Sequence, residues 1–342
     1  MTVSTPLTLM GAPGSPYTRK MLAVMRYRHL PYRLFLSRDG MPEGLPVPKV
    51  ALLPTFFLPN ASGEMEAVVD STPLIRRFEN EYEGRSVIPT DPAIAFLDYL
   101  LEDYADEWLT KPMFHYRWHF QADIDKAAAI LPRWTLKPQA EEEALKLGKI
   151  FADRQISRLH VVGSSNETAP VIEASYERYL GVMRAHLETS SFLFGARPAS
   201  SDFGMYGQLT QLATFDPTPM QLTLDKAPAV YAWVDMVDDL SGVDADEDAW
   251  IKRDAIPQTL IDLFKEVGAY YVPALLANAK ALMEGADTVE TEIDGARWTQ
   301  KPFAYQGKCL QWLRDEHAAL ADADRKLVDE VLAGTGCEKL FA

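Results

Sequence analysis

Cysteine is nearly missing from this chain. Only two occur in 342 residues, Cys309 and Cys337, and both lie late. There is no Cys-x-x-Cys pair and no zinc-type spacing, which excludes dithiol redox chemistry and cysteine metal sites. A disulfide scaffold is excluded too, and so few cysteines suit a reducing, cytoplasmic setting. Long hydrophobic runs are absent. No stretch approaches the roughly 18 continuous apolar residues of a membrane span. The first residues show no basic-then-apolar leader pattern, so no signal peptide is expected. Basic charge is scarce: 34 Lys and Arg face 49 Asp and Glu, for a net charge of −15. Such a surface repels phosphate backbones and anionic lipid, so neither nucleic acid nor a membrane is expected as a partner. An anionic ligand would need a local positive site, such as a helix N-terminus. No internal repeat is present.

What is present is ample apolar material, 47% of residues, and a change of pattern along the chain. Leu7 and Leu9 alternate as in a strand from Thr5 to Met10. Gly11 to Gly14 break it, and Ser15 with Pro16 offers an N-cap and a first helical residue. Tyr32 to Leu36 reads as a second strand. Pro42, Pro46 and Pro48 forbid a regular helix in the segment that follows. Ala51 to Leu58 and Met65 to Val69 form a hairpin candidate around Gly63. Ser71 opens a helix through Leu74, Ile75 and Phe78.

After a linker at 84–90, Asp91 and Pro92 start a helix again, and helical periodicity runs to about Leu240. The reading places helices over Glu141 to His160, Ala174 to Glu188, Asp202 to Phe215 and Ala227 to Leu240. In the first helical segment Pro112 is expected to introduce a kink. Asp244 to Asp248 hold four acids in five residues and read as a solvated connection. Beyond them, helical patches cover Thr259 to Val267 and Ala274 to Met283.

Gly14-Ser15-Pro16-Tyr17-Thr18, Leu53-Pro54-Thr55-Phe56, Asp70-Ser71 and the run from Phe192 to Phe203 together resemble motifs of the glutathione transferase superfamily. Gly14-Ser15-Pro16-Tyr17-Thr18 stands where glutaredoxins and cysteine-type transferases carry Cys-Pro-Tyr/Phe. Leu53-Pro54-Thr55-Phe56 is similar to the family's motif with a cis proline. Asp70-Ser71 resembles its Glu/Asp-Ser pair. Phe192-Leu193-Phe194-Gly195 through Pro198 to Asp202-Phe203 resembles the helical-domain motif, with Ala199 where the family has a capping Ser or Thr. The resemblance covers roughly residues 5–240. It implies a thioredoxin-like α/β domain over 1–86, an all-helical domain over 91–245 and a long extension over 246–342. The extension matches no family pattern and is expected to pack on the helical domain.

The resemblance also implies a chemistry: glutathione as co-substrate, no metal, a small electrophile as second substrate and a homodimer. Ser71 and Asp70 would take the γ-glutamyl carboxylate and ammonium, the first at a helix N-terminus that suits an anion. Leu53 and Pro54 would present backbone to the cysteinyl part. Ser15 is the leading thiol activator and Tyr17 its competitor. Ser15 in place of a cysteine counts against a glutaredoxin-like reductase.

Trp108, Lys111 and His115, followed by Trp118 and His119, are candidates for the acceptor site. His115 and His119 are four apart, but no third ligand follows, so no metal is expected. The function implied is attack of glutathione thiolate on an apolar or aromatic electrophile. The alternatives are a non-catalytic binding module and a glutathione-dependent reductase or lyase. Trp298, Phe303, Tyr305 and Trp312 cluster with Arg297, Lys301 and Arg314 in the extension. They either narrow the acceptor cleft as a lid or thicken the core.

Overall fold

The computed structural model describes residues 6–38, 40–246 and 249–342. Thr5, at the start of the expected first strand, and Glu247 and Asp248 of the acidic stretch lie outside the described residues. The front of the chain runs β1 (Leu7–Met10), α1 (Pro16–Tyr27), β2 (Tyr32–Phe35), β3 (Thr55–Pro59), β4 (Met65–Val68) and α2 (Ser71–Glu81). The four strands make one sheet in the order β2-β1-β3-β4. β1 pairs parallel to β2 and antiparallel to β3, with Leu9 opposite Leu34 and Phe56. This is the thioredoxin-like arrangement. Leu9, Met25, Phe56 and Phe78 are fully buried and join sheet to helices. Leu53-Pro54 is cis, immediately before β3.

The helical part follows as α3 (Pro92–Glu107), α4 (Thr110–His119), α5 (Gln121–Ile130), α6 (Glu141–Ile156), α7 (Ala169–Leu187), α8 (Ser200–Leu212), α9 (Pro217–Lys226) and α10 (Pro228–Val237). Asp91 caps α3 by accepting from the Ala93 and Ile94 N–H groups. The expected kink at Pro112 is instead a break: α3 ends at Glu107 and Pro112 sits in the first turn of α4, where its missing N–H costs nothing. α8 lacks a capping side chain at Ala199, and α3 supplies one. Asp98 accepts from the Ser201 N–H at 2.9 Å and the Ser200 hydroxyl at 2.7 Å.

α3 is buried on every side, between α8 and the helices of the extension. The extension comprises α11 (Gln258–Glu266), a π-helical turn, α12 (Val272–Glu284), β5 (Val289–Ile293), β6 (Ala296–Gln300), α13 (Ala304–Ala319) and α14 (Asp322–Leu332). It begins with two backbone bonds to the helical part, Ala196 N–H to Ala249 O and Ile251 N–H to Phe194 O, both 2.9 Å. α11 then lies on α7 and α14 on α3. The β5–β6 hairpin falls in a stretch where only helical patches are expected from the sequence. It drives Trp298 into the core, where the indole lies 5.5 Å from that of Trp108. Among the described residues no helix is long and apolar enough to cross a membrane.

Candidate active site

The turn between β1 and α1 brings two sequence-predicted residues together. The Ser15 hydroxyl accepts from the Thr18 N–H at 3.2 Å, as an N-cap does, and donates to the Leu53 carbonyl at 3.1 Å. One side chain therefore ties the start of α1 to the cis Leu53-Pro54 bond. Pro16 has no N–H, and the Tyr17 N–H has no acceptor within the helix. A positive helix end thus lies beside the Ser15 oxygen. Arg117 of α4 braces this turn. One of its nitrogens donates to Gly14 O at 3.1 Å, another pairs with buried Asp216 at 2.9 Å, and Gln211 takes a further bond. A Cβ on Gly14 would meet Leu131 at 2.7 Å and Trp134 at 2.8 Å, so the wall closes here only because residue 14 has none.

A cleft of about 720 Å³ opens at this point. Ser15, Tyr17, Leu52 and Leu53 line it from the front domain, and Met113, Phe114 and Trp118 of α4 face them. Leu131, Trp134 and the Leu147–Arg158 stretch complete the wall, which is mainly apolar. Tyr17 reaches the cleft, but its hydroxyl donates to Asp106 O at 2.7 Å. Burial, reinforced by Glu107 and Asp106, pushes its ionisation well above the usual tyrosine range. Its one proton is given to the Asp106 carbonyl, as that of Ser15 is given to the Leu53 carbonyl, but only Ser15 also stands at the start of α1.

Asp70 and Ser71 lie elsewhere, at the start of α2 and outside the cleft lining. Lys20 of α1, fully buried, reaches Ser71 Oγ at 3.1 Å, Glu102 at 2.7 Å and Asp106 at 2.6 Å. Burial works to lower the Lys20 ammonium, but Asp106 and Glu102 outweigh it and hold the charge firmly on. Tyr305, in the first turn of α13, donates its hydroxyl to the Asp70 carboxylate. Burial raises the Asp70 carboxyl, and the Tyr305 bond and Lys20 work against that. Asp70 itself stands at φ 85°, a left-handed conformation that costs a non-glycine residue about 1–3 kcal/mol and persists only where its surroundings enforce it. The positions expected to hold the γ-glutamyl group are therefore engaged by the chain's own lysine and tyrosine.

Of the acceptor-site candidates, Trp118 lines the cleft, and Trp108, Lys111 and His115 do not. Trp108 is fully buried and donates to Ser175 Oγ at 3.2 Å. Lys111 is buried, bonded to Gln300 at 3.2 Å, and lowered by burial to about 8. His115 is buried, 2.8 Å from Ser164 Oγ, and lowered to about 3 by burial and then by His119, which stacks on it at 4.6 Å. The opposite face of α4 lines the cleft instead. Nothing in the extension lines it either, so the lid reading of the late aromatics is corrected. Trp298 thickens the core, while Tyr305 rests on the front domain. Sequence reasoning missed Lys20 and Arg117, whose partners lie 51 to 103 residues away. Tyr305 stood in the noted aromatic cluster, with no contact to Asp70 expected.

Residues 9–86 match the family described as glutathione S-transferase, N-terminal domain. The front domain belongs to the glutathione transferase superfamily. The fold of the whole chain, a thioredoxin-like domain followed by helices, agrees with that. Similar solved structures include a glutathione S-transferase from Rhodospirillum rubrum F11, at 16% identity over 73% of this chain and 98% of that one, with a TM-score of 0.41. A GST-like protein from Pseudomonas syringae is 18% identical over 68% of this chain and 66% of its own, TM-score 0.36. A glutathione transferase family member from Pseudomonas fluorescens Pf-5, with bound S-(propanoic acid)-glutathione, is 17% identical over 68% and 95%, TM-score 0.36. No curated protein matches the chain.

Proposed function

We propose that this transferase-superfamily chain binds glutathione at the Ser15–Leu53 corner and adds its thiolate to an electrophile held in the apolar cleft. One observation carries the reading: the Ser15 hydroxyl, at the start of α1, bonds the backbone beside the cis proline at the edge of that cleft. Glutathione's cysteinyl N–H would take over the Leu53 carbonyl and free the Ser15 proton for the sulfur. The thiol proton leaves to solvent, and the Ser15 O–H and the α1 dipole stabilise the thiolate. The sulfur lone pair then forms the S–C bond as the electrophile's leaving group, or its π pair, takes up the electrons. Residues 1–86 would supply the thiol site and 91–245 the acceptor wall. A cytoplasmic setting and pairing of two chains complete the reading. The first is supported by two free, buried cysteines and the second by the resemblance alone.

A second reading has its own support. Lys20 on Ser71 and Tyr305 on Asp70 satisfy the γ-glutamyl positions internally. If they stay engaged, the chain is a binding module that conjugates nothing. Calorimetric titration with glutathione separates the two. Saturable binding that Ser15→Ala and Asp70→Asn both weaken supports the transferase. No heat beyond dilution at millimolar peptide supports the binding module.

A further inference from the structure

The charge of the cleft is opposite to that of the molecule. The chain carries −15, yet among the described residues no Asp or Glu lines the cleft, while Arg117, Arg154 and Arg158 do. Arg117 is neutralised by Asp216. Arg154 and Arg158 have exposed side chains, and neither forms an ion pair among the described residues. They stand four apart, Arg154 in the last turn of α6 and Arg158 just beyond it, so both project on the side that carries Leu147, Ile150 and Phe151 into the cleft.

We infer that the cleft selects anionic acceptors: an aromatic or apolar body between Trp118, Trp134 and Phe151, with a carboxylate or sulfonate read by Arg154 and Arg158. This rests on the cleft being the acceptor site of the proposed transferase. Guanidinium groups suit the anion because they present paired donors in a fixed plane. The low-dielectric aromatic wall beside them strengthens the attraction. In so acidic a protein a local cationic rim is also the feature that offsets long-range repulsion of an anion.

Two probes test this without any turnover. Anilinonaphthalene sulfonate and N-phenylnaphthylamine share a ring system and differ by the sulfonate. Fluorescence titration of the full chain should show the sulfonate binding more tightly, and its affinity should fall with salt. Arg154→Gln/Arg158→Gln should weaken the sulfonate about five- to tenfold, the scale of one or two partly exposed ion pairs, and leave the neutral probe within about twofold. Equal loss of both probes would mean that the arginines only shape the wall, and overturns the inference. So does no loss of either, which would leave them as helix-end charges. Loss of glutathione affinity with sulfonate binding intact would assign the arginines to the peptide and also overturns it. Arginine-dependent sulfonate binding in a chain that ignores glutathione would uphold the inference while the transferase reading fails.

Discussion

Replacing Tyr305 by phenylalanine removes one hydroxyl and keeps the ring packing against Phe303 and Trp312. That hydroxyl donates to the Asp70 carboxylate. A hydrogen bond to a charged group contributes about 1.5–3 kcal/mol, and Asp70 is only half-buried, so the low end applies. The folded chain should lose about 1.5 kcal/mol, because an acceptor is left to water at partial exposure. Glutathione should gain. On the proposed site its ammonium and the Tyr305 hydroxyl would compete for one carboxylate, and the wild-type chain would have to break the internal bond before binding. Removing the competitor should tighten glutathione about tenfold, which is about 1.4 kcal/mol. The two effects have opposite signs, so a generally damaged protein cannot imitate the result. Denaturant melts give the first number and calorimetry the second. Weaker or unchanged glutathione binding in Tyr305→Phe would refute the competition.

Other outcomes follow from the same geometry. Lys20→Met leaves Glu102 and Asp106 facing one another in the core and should cost about 3–5 kcal/mol in denaturant melts; a loss under 1 kcal/mol would show that the cluster relaxes into water. Stability should fall as pH rises. Burial lifts the carboxyls of Asp103, Glu107 and Asp202 to about 7, 8 and 8, so between about pH 4 and pH 8 the folded chain holds protons that the unfolded chain has released. The melting temperature should therefore drop across that interval, and Glu107→Gln should flatten the slope; a rise would contradict the assignment. Truncation before Ala249 should give insoluble protein, because Leu260, Phe264 and Trp298 are fully buried against the helical part, and a soluble monomeric product would show that the extension is separable.

The front domain was legible because its punctuation is local. Ser15-Pro16, the three prolines after Ser37 and Gly63 fix where strands and helices can run, and each acts within a few residues. α3 was harder. Its apolar stripe from Ile94 to Trp108 reads as one face, but Phe96, Tyr99 and Leu100 are buried as well. Its acids, Asp98 to Glu107, are of a type rarely buried unless paired. They are buried because Lys20, Arg76 and Ser200 meet them from distant segments, which a linear pattern does not show. The hairpin had a usable signal. Asp294 and Gly295, at φ 52° and 75°, are a turn pair between two alternating runs. The site split in the same way. Ser15 and Leu53 meet because adjacent elements hold them. Trp108, Lys111 and His115 face away from the cleft, toward Ser175, Gln300 and Ser164 from distant segments, which a linear pattern does not show.

In the proposed function Ser15 holds a glutathione thiolate at the mouth of the cleft. Ultraviolet absorbance of the thiolate, followed against pH with glutathione bound, tests it most directly. A free thiol ionises near about 8.5, and the wild-type complex should ionise at least one unit lower. Ser15→Ala should return the midpoint toward the free value while calorimetry still detects binding. A midpoint that stays at the free value in the wild type, or that is unmoved by Ser15→Ala, would contradict the account.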